Sequence, residues 1–221
     1  SNFEYDSKAI KIYNSYFRSK NISFKNKSEI IFQPFLETNS KFIIEKFNSK
    51  ILKKIDLTKL HRFSDFFKKI NNKSEIVFQS KKFNNKIFDD LNLKINLSYG
   101  RMNFSKNLSG TNYTIQCDGN MNFLEEFPKL YFNCSVKSDN KKEFLKKFSI
   151  KIRNKNEILE LKFKGNLNVS NGKINFKNVS MNNDYEASKE DLKYYKESFE
   201  NILLDKNFSK MIDFSKLKKF L

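Results

Sequence analysis

Residues 91–100, LNLKINLSYG, alternate almost without fault: Leu91, Leu93, Ile95, Leu97 and Tyr99 take one parity, and Asn92, Lys94, Asn96 and Ser98 the other. Successive strand residues point to opposite faces, so this segment spells a strand that is apolar on one side and wet on the other. The alternation carries on through Met102 and Phe104. The same period recurs along the chain. ISFKNKSEIIFQPFLE (22–37) reads as two short strands around NKS, with Pro34 marking an edge or an end. KFIIEKFNSKIL (41–52) and SEIVFQSKKF (74–83) follow as less regular strands. TNYTIQCDGNMNF (111–123) places Tyr113, Ile115, Cys117, Gly119 and Met121 on one face, and LYFNCSV (130–136) does the same for Leu130, Phe132, Cys134 and Val136. FSIKIR (148–153) and LELKFKGNLNV (159–169) continue the series, the latter aligning Leu161 and Phe163. SNGK (170–173) predicts a two-residue hairpin turn, because Asn-Gly tolerates positive φ, and INFKNV (174–179) returns from it.

Helical spacing is confined to a few places. DLTKLHRFSDFFKKI (56–70) brings Leu57, Leu60, Phe67 and Ile70 near one stripe behind Asp56 as a cap. After 186 the period changes: SKEDLKYYKESFENILL (188–204) opens with a Ser-x-x-Asp box, and a last helix is predicted over 214–221. The chain therefore divides into an amphipathic β region, 1–185, and a C-terminal helical segment, 186–221. Strands joined by short polar turns predict an antiparallel meander. Eight to ten one-sided strands face about three helices, and a packed helix spans only about two strand widths. The sheet must then fold into a sandwich, close into a barrel, or curl into an open trough or partial barrel with an apolar inner wall.

Composition narrows this little. The chain has 221 residues, with 25 Phe, no Trp, 5 Gly and 2 Pro, so the core must be built from Phe, Ile and Leu and the turns from Asn, Asp, Ser and Lys. Its formal charge is +18. An anionic partner is one reading; an AT-rich genome, which favours Lys, Asn, Ile and Phe together, is the other. Residues 186–221 hold eight Lys against seven acids, so nearly all of the excess lies in the β region. There Lys alternates with apolar residues, as Lys162 and Lys164 flank Phe163. Single-strand binding would need aromatics and Lys on one exposed face, so no nucleic acid is expected. With 121 opposite 130, Cys117 faces Cys134 across a strand pair; a two-residue slip makes them diagonal. A cross-strand disulfide is open to them in an oxidising compartment, and two buried thiols acting as small hydrophobes are the alternative.

No catalytic or metal-binding pattern stands out, and no cofactor is expected. His61 is the only histidine, on a predicted helix beside Arg62, with no ligand at metal spacing. Glu125–Glu126 and Asp89–Asp90 are adjacent acids in predicted turns. No Gly-rich phosphate loop or nucleophile elbow is present. No apolar run reaches the 18 or so residues of a membrane span, and no segment reads as a signal peptide. The opening without Met and the close on KLKKFL read as a piece of a longer protein.

FDDLNLKINLSYGRMNF (88–104), CDGNMNFLEEFPKLYFNC (117–134), KKFSIKI (146–152) and ASKEDLKYYKESFENILLDKNF (187–208) resemble the C-terminal region of AsmA family proteins in their form from AT-rich marine alphaproteobacteria. Residues 10–84 fit the same region less tightly. The resemblance implies a periplasmic segment tethered to the inner membrane through an N-terminal anchor in the parent protein. It also implies a curled sheet with an apolar groove that handles phospholipid or assists outer-membrane assembly, alongside other envelope proteins. Such a periplasmic address favours the Cys117–Cys134 bond. Acyl chains would lie on Leu91, Leu93, Ile95, Leu97, Tyr113, Ile115, Phe132, Leu161 and Phe163. The expectation is thus a non-enzymatic lipid-handling sheet. The alternatives are a structural or protein-interaction β domain with a closed core and, behind it, a basic nucleic-acid module.

Overall fold

The structure, a computed structural model, describes residues 2–47, 63–79, 88–147 and 157–204. Four strands open it: β1 (Asn2–Tyr5), β2 (Ala9–Arg18), β3 (Ile22–Ile31) and β4 (Glu37–Phe47). After the short helix α1 (Ser64–Phe67) come β5 (Asn71–Gln79), β6 (Asp90–Ser98), β7 (Arg101–Gly110), β8 (Tyr113–Asn122) and β9 (Lys129–Ser138). Helix α2 (Lys141–Lys147) precedes β10 (Leu159–Asn168), β11 (Ile174–Met181) and β12 (Tyr185–Glu186), and α3 (Lys189–Leu204) follows. All twelve strands lie in one sheet in chain order, and it is not closed into a barrel.

Neighbouring strands are antiparallel with one exception. β4 and β5 pair in parallel, from Glu37 beside Asn71 to Ile44 beside Phe78. A parallel pair needs a long connection rather than a tight turn, and β4 and β5 are separated in sequence by residues 48–70. The uniform meander predicted from the sequence is corrected at this one joint. Other boundaries move as well. β3 runs straight through Asn26, Lys27 and Ser28 instead of breaking there. The chain turns at Tyr99–Gly100, both at positive φ, so Tyr99 leaves the apolar row and Met102 and Phe104 belong to the next strand. The β10–β11 connection is not a two-residue Asn-Gly turn. Val169 is buried, its N–H donating to the Pro128 carbonyl at 3.2 Å, and Gly172 alone takes positive φ. β1, β2, β12 and α2 were not predicted. The tails of the strands predicted at 41–52 and 74–83, the strand at 148–153, residues 56–62 of the internal helix with His61, and the helix at 214–221 lie outside the described residues.

The register sorts side chains into an outer and an inner face. Outward lie Asn96, Asn103, Asn120 and Asn166, together with cross-strand ion pairs such as Lys41–Glu75 at 2.7 Å and Lys137–Glu160 at 3.1 Å. Inward, one row runs Leu97, Met102, Met121, Leu130, Leu167 and Ile174 from β6 to β11, and a parallel one runs Leu91, Leu108, Ile115, Val136, Leu161 and Met181. Three clusters pack on that inner face. Phe144 and Leu145 of α2 meet Tyr113, Val136 and Leu159 at one end of the strands. Phe67 of α1, with Ile70, Phe123 and Val169, covers Leu97 and Met121 at the other end. Leu192, Tyr195 and Phe199 of α3 lie on Leu167, Ile174, Phe176 and Val179 near the β11 side. α3 starts where the sequence box placed it: the Asp191 N–H donates to the Ser188 hydroxyl at 3.1 Å, and the Ser188 N–H donates to the Asp191 carboxylate at 3.0 Å. The Ser188 N–H, followed by the Tyr185 and Ser188 hydroxyls, holds the Asp191 carboxyl below its ordinary value by hydrogen bonding.

Candidate functional site

The inner face is apolar because each strand from β6 to β11 presents Leu, Ile, Val, Phe or Met at alternate positions. All nine groove candidates fall on it, since the register links Leu91, Leu93, Ile95 and Leu97 through β7 to Tyr113 and Ile115, and through β9 to Leu161 and Phe163. They do not share one fate. Leu97 is buried under the α1 cluster and Tyr113 against Phe144, ring centroids 5.1 Å apart. Ile115, Leu161 and Phe163 pack on the α2 cluster and Phe132 on the α3 cluster. Burial, with the Asp89 charge second, pushes the Tyr113 phenol up to about 12. Leu91, Leu93 and Ile95 are half-buried and belong to none of these clusters. Phe104 of β7, likewise half-buried, adjoins them and also packs in none of the clusters that the described helices form.

Across the middle of the face runs an alternation of large and absent side chains: Phe104, Gly119, Phe132, Gly165 and Phe176 on β7 to β11. A Cβ on Gly119 would stand 2.6 Å from the Phe104 ring, and one on Gly165 would stand 2.8 Å from the Phe132 ring. The rings therefore lie down over the glycines, the arrangement by which aromatics shield strand glycines. Towards β3–β5 the same face stays apolar at the end that bears Phe24, Phe42, Ile44, Ile76 and Phe78 and turns polar over the rest. The Ser28 hydroxyl donates to Asn26 at 2.9 Å and is hydrogen-bonded to the Ser40 hydroxyl at 2.8 Å, and Asn72 donates to Thr38 at 2.6 Å. The face is thus apolar over β6–β11 and edged by a hydroxyl and amide seam.

Cys117 and Cys134 are directly opposite and joined by a disulfide, with their Cα atoms 4.1 Å apart. One further residue on this face was missed by the sequence reading. Lys106 stands between Leu93 on β6 and Cys117 on β8, on the inner side of β7 with Met102, Phe104 and Leu108. The signal lay in MNFSKNLS (102–109), where Lys takes an apolar parity. Burial pulls its ammonium below the ordinary lysine value of 10.5.

The turns at the α1 end of the sheet carry exposed apolar side chains: Phe32 and Phe35 after β3, Phe63 and Phe66 around α1, Tyr99 after β6, and Leu124 and Phe127 after β8. Phe35 and Tyr99 meet edge to face at 6.1 Å. Glu125 and Glu126 are exposed in that last turn. A hollow at the other strand ends has Gln79, Asp90, Asn92, Asn107 and Gln116 alongside Val77, Phe78, Leu91 and Leu108 in its wall, and shares only Leu91 with the groove candidates. Among the described residues no three His, Cys, Asp or Glu side chains converge as a metal would need, and no helix is long and apolar enough to cross a membrane. In comparisons with protein-family models, curated proteins and solved structures, none matches this chain.

Proposed function

We propose that this sheet is a non-enzymatic lipid-handling surface in the periplasm, part of an AsmA-like protein held to the inner membrane by an anchor elsewhere in the parent. The observation that carries the reading is the stretch of inner face formed by Leu91, Leu93, Ile95 and Phe104, which is half-buried and lies outside the clusters that the three described helices form at the two strand ends and the β11 side. Burying an acyl chain there is worth about 0.8 kcal/mol per CH₂, so a short length of chain already holds. The disulfide supports an oxidising compartment. The exposed aromatics at the α1 end support contact with a bilayer, where Phe and Tyr side chains favour the interface. Several outward-facing Lys are paired with Glu across strands, which offsets part of the positive charge that a nucleic acid would need.

Native mass spectrometry of protein exported to the periplasm and purified in mild detergent tests the reading. Phospholipid or another acyl-chain ligand is expected to travel with the protein. A lipid-free protein that also fails to take up lipid from vesicles would overturn it. A second reading has its own observation. Leu97, Tyr113, Ile115, Phe132, Leu161 and Phe163 already pack in the chain's own core, as they would in a structural or protein-interaction domain. The lipid-free outcome is the one that reading predicts.

A further inference from the structure

Among the inner-face positions that the register defines from β1 to β12, one carries a formal charge, and it is Lys106. Every other described lysine within these strands points outward, as Lys94, Lys137, Lys162 and Lys164 do. Lys106 sits on the seventh of twelve strands, with Leu93 beside it on one side, the Cys117–Cys134 disulfide on the other, and Phe104 and Leu108 before and after it. Its side chain is half-buried, and it makes no ion pair or hydrogen bond with any described residue. Placing an ammonium among apolar neighbours with no counter-charge costs stability. Methionine, leucine or phenylalanine, which fill the equivalent places of the same strand, would avoid that cost.

We propose that Lys106 anchors the anionic head of an acyl amphiphile whose tail lies on Leu91, Leu93, Ile95 and Phe104. This rests on the lipid-handling reading and adds to it the charge of the cargo and the point where its head is held. A carboxylate or phosphate oxygen at the ammonium supplies the missing counter-charge, and the low-dielectric surroundings strengthen that contact. The apolar rows on either side of Lys106 then take the chain, so head and tail are recognised on adjoining strands. The shared chemistry is one anionic head on a hydrocarbon tail. A free fatty acid and an anionic phospholipid both offer it.

The test uses the full chain and two matched pairs of probes: oleate with oleyl alcohol, and dioleoylphosphatidate with dioleoylglycerol. Wild type is expected to bind the anion of at least one pair about tenfold more tightly than its neutral partner, the value of one charge-assisted hydrogen bond. Preference in the first pair alone identifies fatty acid, and in the second, phospholipid. Lys106→Met is expected to bring both members of a pair to the neutral lipid's affinity while keeping neutral binding and a melting temperature no lower than wild type. Lys106→Arg should retain the preference. Equal binding of anion and neutral lipid by wild type, or a preference that survives Lys106→Met, would overturn this inference and leave the lipid-handling reading standing. Failure of wild type to bind any of the four overturns that reading and the inference with it.

Discussion

Gly119 and Gly165 take up no space of their own, and that is what the Phe104 and Phe132 rings require. Gly119→Ala would push a methyl group into the Phe104 ring and the Tyr131 carbonyl. Overpacking of this kind costs about 1–3 kcal/mol, so urea unfolding should show a lower midpoint with an unchanged slope. Lys106 makes a second residue-scale prediction, one of pH. Its neighbours on the inner face of β6 and β8 are Leu91, Leu93, Ile95, Ile115, Gly119 and the disulfide-bonded Cys117, none of which titrates. Because burial lowers its value, the unfolded chain holds more protons than the folded one between that lowered value and 10.5. Wild type therefore gains stability as pH rises through this window. Lys106→Met has no such group, so its stability advantage should shrink over the same window in parallel thermal melts. A constant gap would mean that the ammonium is as well solvated as a free lysine.

At the scale of elements, period-two alternation located β6, β8, β9, β10 and β11 closely, because one wet and one apolar face leave a strand little freedom of register. It failed where the inner face is polar. Asn26, Ser28, Ser40 and Ser74 look like turn residues in sequence, yet β3, β4 and β5 keep them inside through hydrogen bonds among their side chains and to Asn72. Neither α2, seven residues long, nor the parallel joint leaves a periodic mark in the sequence. The nine groove candidates were legible as a face, but their division into residues inside and outside the clusters that the helices form depends on where the helices lie, which alternation does not encode. The β8–β9 pair supports a prediction of its own. The Cys117–Cys134 bond closes a loop with a separation of 17 residues, for which chain entropy gives about 3 kcal/mol. Cys117→Ala with Cys134→Ala should lose about that much in equilibrium unfolding, whereas a loss under about 0.5 kcal/mol would show that strand register alone holds the pair.

For the whole molecule, the distribution of apolar surface matters more than its amount. Seven large apolar residues are exposed at the α1 end of the sheet, from Phe32 to Phe127. If that end meets a bilayer, replacing Phe35 and Phe127 together by Ser should cut co-sedimentation with phosphatidylglycerol vesicles several-fold, with far-ultraviolet circular dichroism unchanged. Equal sedimentation would mean that charge alone draws the protein to the vesicles. The one parallel joint bears on how such a sheet is made. β1–β4, β5–β9 and β10–β12 are each sets of antiparallel neighbours close in sequence, but residues 48–70 separate β4 from β5 and residues 139–158 separate β9 from β10. Closing connections of that length carries an entropic cost that the tight turns do not share. The three groups should thus acquire amide-exchange protection first and weld along the β4–β5 and β9–β10 seams afterwards, making those seams the late events of assembly.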